Sequence, residues 1–254
     1  MIDNKIFQAS RPERVTPTPP LTHIEAWIFD LDNTLYPARS NLFDAIDQRM
    51  KAFIAAELDV APDEAWRIQK TYFRQYGTTL RGLMLKHATD PSAFLDYVHD
   101  VDLGLLDPAP ILAQALDQLG GKKIVYTNGC GNYARKVLGQ LGIEHLFDGI
   151  FDITAADFIP KPEPAPYNLL LSSFNIHPHK AAFFEDIPRN LKPAADLGMT
   201  TIWVQNDTPW AETSDDVDHI DHITDDLVGW IRAVLDAREP TRPLSEEPKS
   251  SAKR

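Results

Sequence analysis

The chain has 254 residues, of which 43% are hydrophobic, and its formal net charge is −12 at pH 7. This composition provides a sizeable core, and the acidic balance argues against non-specific nucleic-acid binding, which requires a basic face. An anionic substrate would therefore have to be bound by local cations. Cys130 is the only cysteine, so an intrachain disulfide is excluded, as is typical of a cytoplasmic protein.

The two ends of the chain are polar and rich in proline. Residues 1–22 contain no apolar run long enough for a signal peptide or a membrane-spanning helix, and we expect a flexible leader. Residues 239–254 mix Pro, Ser, Lys and Glu, which predicts a disordered tail. We expect no membrane insertion.

The first predicted strand, residues 24–28, is a short apolar run that leads into the acidic segment at residues 29–35. Asp30 and Asp32 lie two residues apart beyond the end of this strand. Two neighbouring carboxylates repel each other unless a cation neutralises them, and their hard oxygen atoms suit Mg²⁺. Thr34 adds a hydroxyl beside the pair. The plain alternative is an acidic loop that happens to follow a strand.

The remaining elements divide the chain into two kinds of sequence. Residues 38–104 show only helical periodicity, and from residue 105 onward strands alternate with short helices. The later strands are predicted at residues 123–126, 149–153, 180–184 and 200–204.

Strand–helix alternation predicts a Rossmann-like α/β fold, a parallel sheet with helices on both faces. We assign residues 23–37 and 105–238 to this core. The helical block, residues 38–104, is predicted to be an inserted all-helical cap over the ends of the strands.

Side chains that follow parallel strands converge at one edge of the sheet. Here these are the acidic pair, a hydroxyl with an amide, a lysine and a second acidic pair: Asp30 and Asp32, Thr127 and Asn128, Lys161, Glu185 and Asp186. Gly129 lets the backbone approach closely before the next helix, whose amino end favours a phosphate. The set predicts a cation site beside an anion site.

These motifs and their order resemble the haloacid dehalogenase-like (HAD) superfamily of phosphohydrolases. The resemblance covers residues 24–205 and implies an HAD-like core. It makes Asp30 the nucleophile that forms an aspartyl-phosphate and Asp32 the general acid and base. It also implies that Thr127 and Lys161 bind the phosphoryl oxygens of the substrate.

The same resemblance implies the metal ligands. Asp30, Asp186 and Asp32, the last through its backbone carbonyl, would hold Mg²⁺. The fourth motif departs from its commonest form, because Arg189 and Asn190 stand where an acidic residue is usual. Glu185 or Asn190 is then expected to complete the metal site, with Asp186 ranked above both.

Narrower signals look like the pyrimidine 5′-nucleotidase branch of the superfamily. They are Tyr36-Pro37, Tyr76-Gly77, Arg81-Gly82-Leu83 and Phe183-Phe184-Glu185-Asp186. We therefore expect UMP and CMP as substrates, bound through Thr34, Asn128, Gly129, Arg81 and Tyr76.

Several alternatives stay open. Phosphoglycolate phosphatase and other small-metabolite HAD phosphatases share these motifs. A haloacid dehalogenase shares the fold and the first aspartate but has no need of Asp32 to protonate an alkoxide. A noncatalytic binding protein on this scaffold would be expected to have lost one of the site groups, and none is missing.

Overall fold

The structure is a computed structural model, and it describes residues 21–206 and 217–238. The predicted tail at residues 239–254 and nearly all of the predicted leader lie outside the described residues. At the end of the predicted leader, Leu21 is buried and its carbonyl accepts a hydrogen bond from the backbone N–H of Ile24 at 3.2 Å. None of the described helices is both long enough and apolar enough to span a bilayer.

Short buried segments rich in β-branched and aromatic residues form the strands of the sheet, as their composition favours. The strands are β1 (Ala26–Phe29), β2 (Lys122–Tyr126), β3 (Gly149–Phe151), β4 (Ala181–Glu185), β5 (Thr200–Val204) and β6 (His222–Thr224). They lie in the order β3-β2-β1-β4-β5-β6, and every pair is parallel. The predicted Rossmann-like sheet is confirmed.

The register of the central strands positions the site. Phe29, the last residue of β1, is aligned with Val125 of β2 and with Phe184 of β4. The backbone N–H of Asp30 still donates to the carbonyl of Phe184 at 2.8 Å. Asp30 therefore leaves the sheet directly beside Glu185, although the two lie far apart in sequence.

Helices occupy the long connection after β1 and most of the later crossovers. The first four are α1 (Leu42–Glu57), α2 (Pro62–Tyr76), α3 (Thr79–His87) and α4 (Pro91–Val98). The others are α5 (Pro110–Gln118), α6 (Gly131–Leu141), α7 (Pro164–Ser173), α8 (Pro188–Asp196) and α9 (Leu227–Arg238). Helices α1 to α4 fall between β1 and β2, which confirms the inserted all-helical cap.

Alternation along β1 divides the core between the two faces of the sheet. Trp27 and Phe29 point to the face covered by α5, α6 and α9, in the same hydrophobic cluster as the buried cap residues. Ile28 points to the other face, which α7 and α8 cover. Both faces of the strand are fully buried, as expected for a parallel sheet between helix layers.

The sheet differs from the sequence predictions in several strand boundaries and in one additional strand. Strand β1 begins at Ala26, two residues later than predicted. Strand β3 ends at Phe151, two residues earlier than predicted. Strand β6 is absent from the predictions, because its three residues lie in an acid-rich run of the sequence. His222 is its only buried residue, so periodicity gives no signal over so short a segment.

Candidate active site

Lys161 stands at the centre of the strand edge. Its Nζ lies 2.7 Å from Oδ1 of Asp30 and 2.7 Å from Oε2 of Glu185, and it donates to the carbonyl of Tyr126 at 2.9 Å. The side chain is 1% exposed. Burial alone would lower the pKa of Lys161, but the two carboxylates outweigh it and raise the pKa. The ammonium therefore stays charged and holds two acidic strand ends together.

Three buried carboxylates meet at this point. Asp30, Glu185 and Asp186 each place an oxygen atom within 4.8 Å of the others. Burial, reinforced by the charge of Glu185, raises the pKa of Asp30 to about 8 and that of Asp186 well above its usual range. One ammonium does not neutralise three carboxylates, so the cluster favours a bound cation. Three hard oxygen ligands fit a divalent metal such as Mg²⁺.

Asp186 is held by donors that leave room for a metal. Its Oδ2 accepts from Nδ2 of Asn206 at 3.0 Å and from Nδ2 of Asn33 at 3.5 Å. Its backbone carbonyl accepts from the indole of Trp203 at 2.9 Å. Asn190, the alternative ligand, is buried and lines the same cavity.

Asp32 is set apart from that cluster. Its Oδ1 accepts from the hydroxyl of Tyr36 at 2.5 Å and from the hydroxyl of Tyr133 at 2.7 Å. Burial raises the pKa of Asp32, while these two hydrogen bonds oppose the rise. The side chain is therefore not one of the three clustered carboxylates, and only the backbone carbonyl of Asp32 remains as the metal ligand expected there.

The second motif closes the other side of the site. Oδ1 of Asn128 accepts from the backbone N–H of Lys161 at 2.9 Å, so this amide fixes the loop that carries the lysine. The hydroxyl of Thr127 accepts from the N–H of Gly129 at 2.9 Å. The amino end of α6 is already occupied, because Gly131 donates to Asp152 at 2.6 Å. Fewer backbone N–H groups are therefore free to bind a phosphate at the amino end of α6 than the sequence suggested.

Thr34 is buried and contacts Asp30 rather than open space. Its Oγ1 donates to Oδ2 of Asp30 at 3.4 Å, and Thr34 is not among the residues that line the cavity. Thr34 therefore lies behind Asp30, and its role in substrate binding stays a prediction.

One cavity extends from the carboxylate cluster into the cap. Its floor includes Asp30, Asp32, Thr127, Asn128, Gly129 and Lys161. Its cap wall is largely apolar and includes Phe43, Met50, Phe73, Phe94, Leu95 and Val98. A largely apolar pocket with a few fixed polar groups is the usual form of a small-molecule site.

The cap wall holds a small polar group around Gln69. The amide Nε2 of this buried residue donates to Oδ1 of Asp47 at 2.8 Å and to the backbone carbonyl of Asp47 at 3.1 Å. The ammonium of Lys70 lies 2.5 Å from the same Oδ1. Because Nε2 already has two acceptors, the amide cannot flip without placing oxygen against oxygen. Its Oε1 has no partner among the described residues.

Tyr76 and Arg81, predicted to bind substrate, do not line the cavity. The ring of Tyr76 packs on Tyr72 at 5.6 Å and lies under the ammonium of Lys86. Arg81 follows the lining residue Leu80, and consecutive helix positions point about 100° apart. The neighbouring residues Phe73 and Leu80 line the cavity instead, and the predicted substrate contacts of Tyr76 and Arg81 stay untested.

The glycines beside Arg81 serve packing rather than substrate approach. A Cβ on Gly82 would lie 2.4 Å from the side chain of Tyr72. Gly77 has φ +82°, and a Cβ there would lie 2.8 Å from the carbonyl of Lys161. Gly77 thus lets the cap approach the loop that carries the active-site lysine.

Sequence reasoning missed the contacts of Tyr133, His99 and Cys130. The imidazole of His99, just after α4, stacks on Tyr133 with ring centroids 4.3 Å apart and planes 6° apart. Its Nδ1 lies 3.2 Å from Sγ of Cys130. Burial lowers the pKa of His99 to about 4 and raises the pKa of Cys130, so the pair is neutral near pH 7. Of the residues around Asp32, only Tyr36 is close enough in sequence for its contact with this aspartate to be predicted.

Comparison with known proteins identifies the family of the chain. The haloacid dehalogenase-like hydrolase family model matches residues 24–198. The chain is 30% identical to Phosphate metabolism protein 8 of Saccharomyces cerevisiae over 76% of its own length, and it spans 64% of that relative. It is 26% identical to the glyceraldehyde 3-phosphate phosphatase of Methanopyrus kandleri, with 72% of this chain and 84% of that protein covered.

The fold has relatives among solved structures. An HAD phosphatase from Thermococcus onnurineus superposes with a TM-score of 0.58 at 18% sequence identity, covering 84% of this chain and 99% of that one. At such identity the likeness concerns the fold, while the family match rests on the sequence. The chain therefore belongs to the haloacid dehalogenase-like hydrolase family, whose members related to it include phosphatases.

Proposed function

We propose that this hydrolase is a Mg²⁺-dependent phosphatase that cleaves small phosphate monoesters through a phosphoenzyme on Asp30. The observation that carries the proposal is the buried cluster of Asp30, Glu185 and Asp186 around Lys161. Oxygen ligands of three carboxylates would hold Mg²⁺, which would neutralise charge on the phosphoryl group. A cytoplasmic location is part of the proposal, since the lone Cys130 forms no intrachain disulfide.

In this proposal, each side chain on the cavity floor has a separate role in the reaction. Asp30 attacks phosphorus, and its backbone is fixed to β4 through the carbonyl of Phe184. Lys161 and Thr127 bind phosphoryl oxygens at the cavity floor. Asp32, held away from the metal cluster by two phenols, gives a proton to the leaving oxygen and later takes one from water. A dehalogenase does not require that proton, so this separation supports phosphoryl transfer.

We infer that the preferred substrates are pyrimidine nucleoside 5′-monophosphates, UMP and CMP. The apolar cap wall would cover a flat base, and Gln69, a buried lining residue whose Oε1 has no partner among the described residues, would accept from an N–H donor of that base once substrate is bound. Uracil carries such a donor on its ring and cytosine carries one on its amino group. Phe73 would contribute an aromatic surface. Its backbone carbonyl accepts from Arg189 at 3.1 Å, which ties this part of the wall to the core.

A second candidate is a phosphatase for small phosphorylated metabolites such as phosphoglycolate. It is favoured by the relationship to a glyceraldehyde 3-phosphate phosphatase, and the same catalytic floor would serve it. These small substrates have little surface to place against the apolar wall. The wall is therefore an argument for nucleotides as the preferred substrates.

A substrate panel tests both readings. We would compare kcat/KM for UMP, CMP, AMP, GMP, phosphoglycolate and glyceraldehyde 3-phosphate, each with Mg²⁺ and with a chelator. UMP or CMP should lead the panel, and chelation should remove activity on every ester. A small metabolite in the lead would move the protein to the second candidate. Activity that survives complete chelation would remove the metal from the proposal.

A further inference from the structure

The carboxyl group of Asp32 is bound asymmetrically. Two phenols, those of Tyr36 and Tyr133, donate to the same oxygen, Oδ1, at 2.5 and 2.7 Å. Each phenol has a single hydrogen, so both are used on this oxygen, and the 3.3 Å contact between the two hydroxyls carries none. Within residues 21–206 and 217–238, no side chain or backbone group hydrogen-bonds to Oδ2.

We propose that Tyr36 and Tyr133 are positioning residues that assign different tasks to the two oxygens of Asp32. Oδ1 is fixed to the protein, and Oδ2 is the oxygen that exchanges protons with the substrate. The inference rests on the proposed phosphatase function and adds to it the identity of the working oxygen and the residues that select it.

The assignment gives a balanced proton path. In the first step the bond from phosphorus to the ester oxygen breaks, a bond from Asp30 to phosphorus forms, and the proton on Oδ2 passes to the leaving oxygen. In the second step water attacks phosphorus, the bond to Asp30 breaks, and Oδ2 takes a proton from that water. Asp32 ends the cycle protonated, as it began.

The two phenols suit both steps because Oδ1 is an acceptor in each state of Asp32. It is the carbonyl oxygen of the neutral acid and one of two equivalent oxygens of the carboxylate. The phenols therefore need not reorient between the steps. Without them the carboxyl group could rotate and present either oxygen, which would lower the fraction of productive geometries.

The two phenols come from separate parts of the chain. Tyr36 lies four residues beyond Asp32, whereas Tyr133 lies on α6 and is stacked by His99 at the end of the cap. Both side chains are almost completely buried, at 1% and 2% exposure. Removing a hydroxyl and keeping the ring should preserve this packing, so Tyr→Phe isolates the hydrogen bonds.

The test compares leaving groups. Formation of the phosphoenzyme would be timed by rapid acid quench with phenyl phosphate and p-nitrophenyl phosphate, using wild type, Tyr36→Phe and Tyr133→Phe. Phenolate needs a proton far more than p-nitrophenolate does. We expect each variant to lose about tenfold on phenyl phosphate and about twofold or less on p-nitrophenyl phosphate, within the range of general acid catalysis. The ratio of the two rates is independent of the folded fraction of the variant.

Tyr167→Phe is the matched control. It removes a buried phenol that donates to the backbone carbonyl of Asn190 at 2.6 Å, on the other face of the sheet. This variant should change both rates by the same factor. Equal losses on the two esters in the Tyr36 and Tyr133 variants would overturn the inference and leave the phosphatase proposal standing. A wild-type protein that cleaves neither ester would overturn both.

Discussion

The floor and the cap wall of one cavity are built in opposite ways. The floor holds buried charges, and each has a defined partner, as Lys161 has Asp30 and Glu185 at 2.7 Å. The wall is apolar apart from a small polar group, and in that group Oε1 of Gln69 has no described partner. Paired charges fix a geometry for chemistry, whereas a largely apolar wall offers surface to cover the rest of a small-molecule ligand.

The two regions also differ in what positions them. Sheet register fixes the floor, since the alignment of Phe29 with Phe184 sets Asp30 beside Glu185. A slip of one residue would turn every side chain of β1 to the other face. Helix packing fixes the wall, where a small rotation of α2 or α3 exchanges one lining residue for its neighbour. We therefore expect substitutions in the floor to affect every substrate and those in the wall to affect some.

The largest expected effect belongs to the floor. Asp30→Asn removes the attacking carboxylate, and turnover of p-nitrophenyl phosphate should fall by more than about 10³-fold. Acid quenching with labelled substrate should trap phosphate on wild type and not on the variant. Asp32→Asn is the companion variant, in which label should accumulate because water is no longer activated. Label on the Asp30 variant would contradict the assignment.

The next effect concerns the charges of the floor. Lys161→Met leaves two buried carboxylates facing each other, and we expect unfolding free energy in the presence of a chelator to fall by about 3–5 kcal/mol. Lys180→Met is the control, because its ion pair with Glu25 has the same 2.7 Å length but is exposed. It should cost about 1 kcal/mol or less. Urea titrations would measure both.

Addition of Mg²⁺ sharpens this comparison. A divalent cation among Asp30, Glu185 and Asp186 should restore part of the stability lost in Lys161→Met and do little for Lys180→Met. An identical response of the two variants to Mg²⁺ would mean that the ion does not bind at the cluster.

The same contrast between floor and wall explains which residues of the site could be predicted from the sequence. Asp30, Lys161, Glu185 and Asp186 could be predicted because a few chemically distinct residues follow strands at one edge, and parallel topology then brings them together. Most of the fold could also be predicted, because the alternation of strands and helices extends over long segments of the sequence. Strand β6 was not, because three residues give no period.

The wall could not be predicted with the same accuracy. Phe73 and Gln69 carry no pattern that separates them from Tyr76 and Arg81, and only the rotation of α2 and α3 decides which residue faces the cavity. Tyr133 escaped notice because its contact with Asp32 joins positions 101 residues apart. Long-range hydrogen bonds of this kind leave no local spacing to read.

A smaller and selective effect is expected in the wall. Gln69→Leu keeps the side-chain size but removes the acceptor together with the two hydrogen bonds that Nε2 donates to Asp47. The loss of the acceptor should lower kcat/KM for UMP and CMP by about tenfold, the value of roughly one hydrogen bond. Hydrolysis of p-nitrophenyl phosphate, which has no N–H donor, should change little. Arg81→Ala is the control from the same cap, and because Arg81 lies outside the cavity lining it should spare every substrate. Equal losses on all esters would make Gln69 a structural residue.

The smallest effect lies where wall and floor meet, at His99. Its pKa is lowered by burial to about 4, below the ordinary value of 6.5, so the folded state disfavours the protonated imidazole. As pH falls below 6.5 the unfolded chain takes up a proton that the folded chain does not, and stability decreases until about pH 4. Wild type should therefore lose stability on acidification partly through this residue, by at most about 2 kcal/mol between pH 6.5 and 5.0.

His99→Gln removes that contribution, so its deficit in Tm relative to wild type should shrink as pH falls from 7 to 5. The narrowing should amount to a few degrees, given about 2–4 °C per kcal/mol for a chain of this size. His87→Gln is the control, because His87 is exposed and contacts only the cap through Tyr72. Melting curves at three pH values would measure both variants. A His99→Gln deficit that stays constant with pH would mean that burial does not lower the pKa of this imidazole.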